Sequence, residues 1–287
     1  MATVRADINS EEIVNVAAVT HRSPFRYPGG KTWLVPRIRQ WLRSLNPRPR
    51  ELAEPFAGGG IVSLSALFDN LVQKIVLVEK DADVAAVWSV IVYGDASRLA
   101  SEILTFDLNV DSVKSLLAHE PANEFERAFA TIVRNRVQHG GILAPGASML
   151  KKGENGKGIR SRWYPNTLQK RIEGILHTRQ DITFIQGDGI EFVRYNAHRP
   201  DTAFFIDPPY TIAGQRLYTH SQLDHRKLFE VVKTIQSDFL MTYDNSQEIQ
   251  ELAQEFGFQT ALVRMKNTHH ELMSELLVGK NLTWLNR

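Results

Sequence analysis

The sequence predicts an α/β fold, in which helices pack against a mainly parallel sheet and a mainly helical insertion interrupts the chain. The first observation is a strand, a glycine turn, a helix and a second strand in succession between Leu52 and Glu79, which together make a βαβ unit. The second is a series of short apolar runs after residue 181 that alternate with helical patterns and predict further strands. The third is the stretch 96–177, where helical patterns dominate.

The apolar spacing assigns each element in order. Helices are predicted at 33–42, 61–68, 83–92, 97–104, 110–118, 124–137, 165–176, 223–236 and 247–256. Strands are predicted at 52–56, 74–79, 182–185, 204–206, 239–242, 258–265 and 275–279. We therefore expect one sheet domain assembled from residues 1–95 and 178–287, with residues 96–177 inserted between its two parts.

The composition is that of an ordinary globular chain. Of the 287 residues, 43% are hydrophobic and 23% are charged. No apolar run approaches the roughly 18 residues of a membrane-spanning helix, and the N-terminus lacks the basic start and apolar core of a secretory signal. We therefore expect a cytoplasmic protein without a membrane segment. The absence of cysteine excludes disulfides and thiolate metal sites.

Basic residues concentrate in the predicted insertion. Between Phe125 and Ile175 ten lysines and arginines stand against three acidic residues, a net charge of +7, whereas the whole chain carries only +2. The rest of the chain must therefore be mildly acidic. A basic insertion in an acidic body is the charge distribution expected of a nucleic-acid contact surface.

The segment Phe204-Phe205-Ile206-Asp207-Pro208-Pro209-Tyr210 is the strongest candidate for the chemistry. Its three apolar residues predict a short buried strand. The prolines lack a backbone donor and fix φ, so the strand ends in a stiff turn. An acid and an aromatic ring are thus held at the carboxyl end of a strand, where open α/β sheets bind ligands. An ordinary strand-ending turn is the alternative, since Asp and Pro are common turn residues.

The glycine turn predicts a ligand site of its own. Glycines 58–60 lie between a strand and a helix, where they let the backbone approach a ligand closely and direct free amides at it. Glu79 ends the next strand about 20 residues later, a spacing at which an acid accepts hydrogen bonds from ribose hydroxyls. Ile61-Val62-Ser63 follows the glycines where a P-loop requires Gly-Lys-Ser/Thr. A dinucleotide-binding fold and a simple tight turn stay open at this point.

Four blocks of the chain, in this order, resemble a known family. They are Phe25-Arg26-Tyr27-Pro28-Gly29-Gly30-Lys31, Glu54-Pro55-Phe56-Ala57-Gly58-Gly59-Gly60, the basic insertion and Asp207-Pro208-Pro209-Tyr210. The order is similar to that of Dam-like adenine-specific DNA methyltransferases of the α group, and the resemblance covers most of residues 25–280. It implies a Rossmann-like sheet that binds S-adenosylmethionine, with a mainly helical inserted domain that recognises DNA.

The resemblance implies which residues hold that cofactor. Tyr27 and Lys31 would face its methionine end, Glu79 would hold its ribose, and Asp188 would lie beside its adenine ring. The full set of cofactor-binding residues is Tyr27, Lys31, Glu54, Phe56, Ala57, Gly58, Glu79, Asp188 and Asp207. Glu79 replaces the aspartate common in the family, which keeps the acceptor role.

The resemblance also implies the reaction, which is methyl transfer to the exocyclic amine of adenine in a specific short sequence of duplex DNA, with the base flipped out. Asp207, the carbonyl of Pro208 and the ring of Tyr210 would act on the base. The residues expected to bind DNA are Arg134, Arg136, Lys151, Lys152, Arg160 and Arg162. A partner restriction endonuclease is a further expectation.

Several alternatives stay open. The substrate could be RNA or the amine of cytosine, and the chain could be a DNA-binding module without catalysis. A glutamine substrate is disfavoured because enzymes of that kind usually carry Asn before Pro-Pro-Tyr. No metal site is predicted, because His269 and His270, which precede Glu271, would point to different sides of a strand and have no apparent third ligand.

Overall fold

The computed structural model describes residues 19–27, 29–144, 146–153, 156–210, 223–266 and 272–286. Pro28 of the first glycine block lies outside these residues, as do His269, His270 and Glu271.

Within the described residues seven strands form one mixed sheet. In chain order they are β1 (Glu51–Glu54), β2 (Lys74–Glu79), β3 (Ile182–Gln186), β4 (Thr202–Ile206), β5 (Phe239–Asp244), β6 (Gln259–Lys266) and β7 (Leu272–Gly279). The order across the sheet is β3-β2-β1-β4-β5-β7-β6. The first five strands are parallel, and β7 runs antiparallel to β5 and β6. The predicted Rossmann-like α/β fold is confirmed.

In the described part of the chain the helices fall close to their predicted positions, except that the helix over residues 189–196 was not predicted. They are α1 (Val35–Ser44), α2 (Ile61–Phe68), α3 (Ala82–Val92), α4 (Ala96–Thr105), α5 (Val110–Ala118), α6 (Glu124–Val137), α7 (Pro165–Thr178), α8 (Gly189–Asn196), α9 (His225–Val232) and α10 (Gln247–Glu255). A short 3₁₀ turn, Lys31–Leu34, leads into α1. Local side chains fix several starts: Asp81 caps α3, Asp188 caps α8 and Ser246 caps α10.

Strand β4 is buried on both faces, which explains its unbroken apolar sequence. Phe205 packs into one core cluster, whereas Phe204 and Ile206 pack into the other, because successive side chains of a strand point to opposite faces. Helices cover both faces of such a parallel sheet. Asp207 is therefore the first residue after β4 that can reach the edge of the sheet.

The strand order reverses between β1 and β4, and this reversal creates the ligand crevice. Ala53 of β1 lies opposite Val76 of β2 on one side and Phe204 of β4 on the other. The carboxyl ends of these parallel strands meet at one edge of the sheet. The topology therefore brings the glycine turn, Glu79 and Asp207 to the same edge.

Residues 96–177 carry helices α4 to α7 and join α3 to β3. Helix α6 packs against α3, and α4 packs against α7. Ile132 of α6 and Ile172 of α7 belong to the same core cluster as the sheet residue Leu77. The segment thus shares its hydrophobic core with the sheet, and its role as a separate recognition domain stays a prediction.

Gly174 lies inside α7 and offers a test of how this helix packs. A Cβ added there would meet only the Phe68 ring, at 3.8 Å, which is an ordinary van der Waals contact. Because glycine in a helix interior costs about 0.5–1 kcal/mol relative to alanine, we expect Gly174→Ala to raise the free energy of unfolding by about that amount. Chemical denaturation of the two proteins measures the change, and a lower midpoint for the variant would contradict the packing described.

Candidate active site

A cavity of about 420 Å³ opens at the carboxyl edge of the sheet. Its volume lies within the range of roughly 300–1,000 Å³ found for small-molecule sites. Its wall includes every residue predicted to bind the cofactor, namely Tyr27, Lys31, Glu54, Phe56, Ala57, Gly58, Glu79, Asp188 and Asp207. Sequence blocks that are far apart in the chain thus form one site.

The glycine turn is held between two aromatic side chains. Gly58 and Gly60 have φ values of 45° and 60°, which only glycine adopts without cost. A Cβ at Gly58 would lie 2.6 Å from the ring of Tyr27, and one at Gly60 would lie 2.9 Å from the ring of Trp88. Trp88 Nε1 also donates a hydrogen bond of 2.8 Å to the Gly58 carbonyl. The turn therefore has one backbone path, because a side chain at either glycine would collide with an aromatic ring.

Glu79 is fixed by backbone donors from both sides. Its Oε2 accepts the N–H of Gly58 at 2.9 Å, and its Oε1 accepts the N–H groups of Lys80 and Asp81 at 2.8 Å each. Burial raises the pKa of Glu79 to about 7, and the nearby Asp81 carboxylate adds to the increase while the backbone donors oppose it. Because each carboxylate oxygen accepts two hydrogen bonds, Oε2 can still accept one from a ligand hydroxyl.

Asp188 presents an ionised carboxylate to the same cavity. Its Oδ1 accepts the N–H groups of Ile190 and Glu191 at 2.9 and 3.3 Å, and its Oδ2 pairs with Lys80 at 3.1 Å. Partial burial alone would raise the pKa of Asp188, but Lys80 and the two N–H groups outweigh it and the pKa is lowered.

Asp207 is oriented through both of its carboxylate oxygens. The hydroxyl of Thr242, on β5, donates to Oδ1 at 2.7 Å. The ammonium of Lys31 pairs with Oδ2 at 2.9 Å. The side chain remains 20% exposed, so a substrate amine can still reach it. A carboxylate held this firmly is suited to orient a hydrogen-bond donor.

Lys31 links Asp207 to a second acid. Its Nζ lies 3.2 Å from Oε1 of Glu275, on β7, and donates to the carbonyl of Gly29 at 2.8 Å. Lys31 is only 4% exposed. The resemblance implied that it would face the methionine end of a cofactor, and in the structure its ammonium is engaged by these two acids.

Pro208 and Tyr210 lie beside the cavity and are not part of its wall, which includes Pro209. Pro208 is buried. The ring of Tyr210 stacks near that of Tyr243, with centroids 6.1 Å apart, and lies 5.0 Å from Lys31 Nζ. Its buried hydroxyl has no hydrogen-bond partner among the residues described. The roles assigned to both residues stay predictions.

Glu54 ends β1 in a buried position and is 3% exposed. Its Oε2 accepts the N–H of Ser63 at 3.1 Å. Burial raises the pKa of Glu54 to about 8, with Ser63 and Lys31 opposing and Asp207 adding to the increase. Between about pH 4.5 and about pH 8 the folded chain therefore holds a proton that the unfolded chain has lost. The stability that this group contributes is lost as the pH rises through that window.

We expect Glu54→Gln to remove this loss, because glutamine resembles the protonated carboxyl group. Relative to wild type, the variant should gain stability between about pH 6 and about pH 8, by at most about 1.4 kcal/mol per pH unit. Urea denaturation at both pH values measures the difference. Glu120→Gln, at an exposed position, is the control, and a pH-independent difference for Glu54→Gln would contradict the assignment.

The segment 96–177 supplies part of the cavity wall, which the sequence did not predict. Gly141, Leu143 and Ala144 line it. Asn135 attaches this loop to the first glycine block, because its Nδ2 donates to the carbonyls of Arg26 and Gly141 at 2.8 Å and its Oδ1 accepts the N–H of Arg26 at 2.9 Å. A Cβ at Gly141, which has φ 76°, would lie 2.2 Å from the Arg26 carbonyl. The adjacent glycines 140 and 141 were the only sequence signal for this contact.

Further residues of the wall lie outside the four blocks, among them His21, Ser23, Leu223, Asp224 and Lys227. Burial lowers the pKa of His21 to about 4, and Arg171 and Arg136 act in the same direction. His21 therefore meets a ligand as a neutral ring at physiological pH.

The structure corrects the prediction that Arg136 binds DNA. Arg136 is only 3% exposed and donates to the carbonyl of Pro24. Burial lowers its pKa to about 9, with Arg171 and Arg26 adding to the decrease. The guanidinium thus supports the chain segment that leads to Tyr27 and has almost no surface to offer DNA. A count of charges cannot distinguish a buried arginine from an exposed one.

The other residues predicted to bind DNA differ in exposure. Arg134 is partly exposed and pairs with Asp83 at 2.7 Å, which ties α6 to α3. Lys151, Lys152 and Arg160 are exposed, and Arg162 is half-buried. Their contacts with DNA stay predictions.

Within the described ranges no group of three or more His, Asp or Glu side chains could hold a metal ion. No helix in that part of the chain is long and apolar enough to cross a membrane.

Among the solved structures that resemble the chain are two methyltransferases of low sequence identity. A Pyrococcus horikoshii protein described as an RNA methyltransferase is 11% identical, with 92% of each chain covered and a TM-score of 0.43. The rRNA methyltransferase AviRa from Streptomyces viridochromogenes is 14% identical, with 96% of each chain covered and a TM-score of 0.39. At these identities the similarities say nothing about the substrate. A search of curated proteins gave no match.

The sequence matches one protein family over most of its length. Residues 27–268 match the family described as D12 class N6 adenine-specific DNA methyltransferase. The site fits the methyl donor of such enzymes, since the glycine turn lines the cavity with backbone and no side chain, and Glu79 presents an acceptor for a ribose hydroxyl beside it. Glu79, Asp188 and the glycine turn would hold S-adenosylmethionine, the cofactor of this methyltransferase. The chain belongs to the D12 class of N6 adenine-specific DNA methyltransferases.

Proposed function

We propose that this methyltransferase methylates the exocyclic amine of adenine in a specific short sequence of duplex DNA. The observation that supports the proposal best is that Glu79 and Asp207 line one cavity. The residues suited to hold the cofactor and the residue suited to orient an amine therefore face the same space. The family match supports adenine in DNA as the substrate.

Asp207 and Pro208 would make the amine of adenine reactive. That amine is a poor nucleophile because its lone pair is delocalised into the ring. The Asp207 carboxylate and the Pro208 carbonyl would each accept one of its N–H groups, which turns the lone pair out of the ring system. Thr242 and Lys31 fix the carboxylate in advance, and a fixed anion stabilises the positive charge that develops on nitrogen. Bound S-adenosylmethionine supplies the electrophilic methyl group.

Base flipping is part of the proposal, because an amine inside a duplex cannot reach a cavity at the edge of the sheet. Stacking of the flipped base on the Tyr210 ring would return about 1–3 kcal/mol of the cost of unstacking. Exposed basic residues of the segment 96–177, such as Lys151, Lys152 and Arg160, would contact phosphates and make binding sensitive to salt.

Transfer of a radiolabelled methyl group tests the proposed function. We expect label to enter duplex DNA and, after nuclease digestion and chromatography, to comigrate with N6-methyladenine. Label found only in structured RNA would show that the substrate is RNA. Label found in N4-methylcytosine would show that the methylated base is cytosine. Absence of transfer from a protein that binds S-adenosylmethionine would indicate a binding module without catalysis. A partner endonuclease stays a separate prediction.

A further inference from the structure

Glu275 has no part in the reaction outlined above, yet it is buried beside the reacting groups. It lies on β7, is 5% exposed and is 3.2 Å from Lys31 Nζ through its Oε1. Lys31 in turn contacts Oδ2 of Asp207 at 2.9 Å. Burying a carboxylate is unfavourable unless it is paired, and here one ammonium is shared between two acids.

We propose that Lys31 and Glu275 form a proton relay behind Asp207, in which the proton released by the methylated amine passes from Asp207 through Lys31 to Glu275. The relay rests on the proposed function, since it requires Asp207 to receive the amine. It assigns a step to Glu275, which orientation of the amine does not use, and a second task to Lys31.

The relay balances atoms and charge. As the N–C bond forms, the S–C bond breaks with its electron pair left on sulfur, and the amine keeps two hydrogens and a positive charge. Asp207 Oδ2 accepts one of these protons, and the N–H electron pair remains on nitrogen. Lys31 Nζ gives one of its protons to Glu275 Oε1, and the lone pair that this leaves on nitrogen accepts the proton held by Asp207. The chain ends with a carboxylate at Asp207, an ammonium at Lys31 and a carboxylic acid at Glu275, which loses its proton to solvent before the next cycle.

The geometry brings both acids within reach of one ammonium. The distances from Lys31 Nζ to Asp207 Oδ2 and to Glu275 Oε1 are 2.9 and 3.2 Å, close enough for a hydrogen bond. Because Oε1 of Glu275 has no aligned donor among the residues described, the ammonium must turn towards it for the second transfer. Burial raises the pKa of Glu275 to about 7, with Lys31 opposing and Asp207 adding to the increase. A proton acceptor works best when its pKa lies near the operating pH, and Glu275 meets that condition.

Several titratable groups lie near Glu275, and its titration must be distinguished from theirs. Lys31 and Asp207 face it most closely, and Asp244 lies opposite it on β5. On the other side β6 places the apolar Val263 opposite it. Glu54 shares the influence of Lys31 and Asp207 and has a pKa raised by burial to about 8. The pH profile of methyl transfer must therefore be measured for a Glu54 variant as well as for the Glu275 variant, so that the two titrations can be told apart.

The test is the pH dependence of methyl transfer in a single turnover on duplex DNA. Glu275→Gln keeps the size and polarity of the side chain and cannot accept a proton. We expect the wild-type rate to rise through a limb near pH 7, and the variant to be about 100-fold slower without that limb. Glu54→Gln should keep the limb, and Glu275→Asp should restore part of the rate with the limb shifted to lower pH, because aspartate is the stronger acid. Calorimetry should give the same affinity for S-adenosylmethionine in wild type and in both Glu275 variants.

The outcomes separate the relay from the proposed function. If Glu275→Gln transfers methyl groups with the rate and pH profile of wild type, the relay is wrong and the proposed function stands. A slower Glu275→Gln that keeps the limb would assign Glu275 a structural role and also overturn the relay. If Glu275→Gln fails to fold by circular dichroism, a Glu275→Asp protein whose limb is unmoved would overturn it as well. A wild-type protein that methylates no nucleic acid would instead refute the proposed function.

Discussion

Asp207→Ala is expected to reduce methyl transfer by at least about 1,000-fold while S-adenosylmethionine still binds. The substitution removes the carboxylate that would orient the amine and stabilise its developing charge. Lys31 keeps Glu275 as an ionic partner at 3.2 Å, so no buried ammonium is left unpaired and the fold should survive. The other residues predicted to hold the cofactor, among them Glu79 at the end of β2 and Asp188 at the start of α8, are unaffected. Label transfer and calorimetry measure the two quantities separately.

Asp201→Ala is the matched control for this experiment. Asp201 is an exposed aspartate at the opposite end of β4, away from the cavity wall. Its replacement should leave both transfer and binding at wild-type values. An active Asp207→Ala protein would contradict the role given to this carboxylate.

Gly58→Ala is expected to weaken the binding of S-adenosylmethionine by about 10- to 100-fold. Gly58 has φ 45°, where a side chain is strained, and the new Cβ would lie 2.6 Å from the ring of Tyr27. Relief of the backbone strain or of the clash with Tyr27 moves the turn. The N–H that Gly58 donates to Glu79 at 2.9 Å moves with it. Both walls of the ribose site would then shift.

Calorimetric titration with S-adenosylmethionine tests this prediction. Gly174→Ala provides the matched control, because the same substitution there fills open space in a helix and should leave the affinity unchanged. Wild-type affinity in Gly58→Ala would mean that the glycine turn does not form the cofactor site.

The parts of the site that the sequence predicts are those carried by contiguous residues. Glycines 58–60 between a strand and a helix, and Glu79 at the end of the next strand, follow from local conformational rules, and both line the cavity. Asp207 follows from the abrupt end of an apolar strand at two prolines. The α/β topology then explains why these residues lie in one site, because it brings the carboxyl ends of parallel strands together.

The parts that the sequence does not predict are contacts between distant segments. Thr242 donates a hydrogen bond to Asp207, Glu275 pairs with Lys31, and Asn135 accepts a hydrogen bond from Arg26. Neither the spacing of these residues in the sequence nor the local composition predicts any of the three contacts. The prediction that Arg136 binds DNA is wrong for a related reason. Its charge suggested an exposed position, but tertiary packing buries the side chain. Register between strands, which decides that Glu275 lies opposite Asp244, is fixed only once the whole sheet is assembled.

The structure of the complex with S-adenosylmethionine tests most directly whether one cavity unites the methyl donor with the acid that orients the amine. We expect the ribose hydroxyls of the bound cofactor to contact Glu79 and its transferable methyl group to point towards the space beside Asp207. A cofactor bound outside this cavity, or one whose methyl group points away from Asp207, would contradict the account.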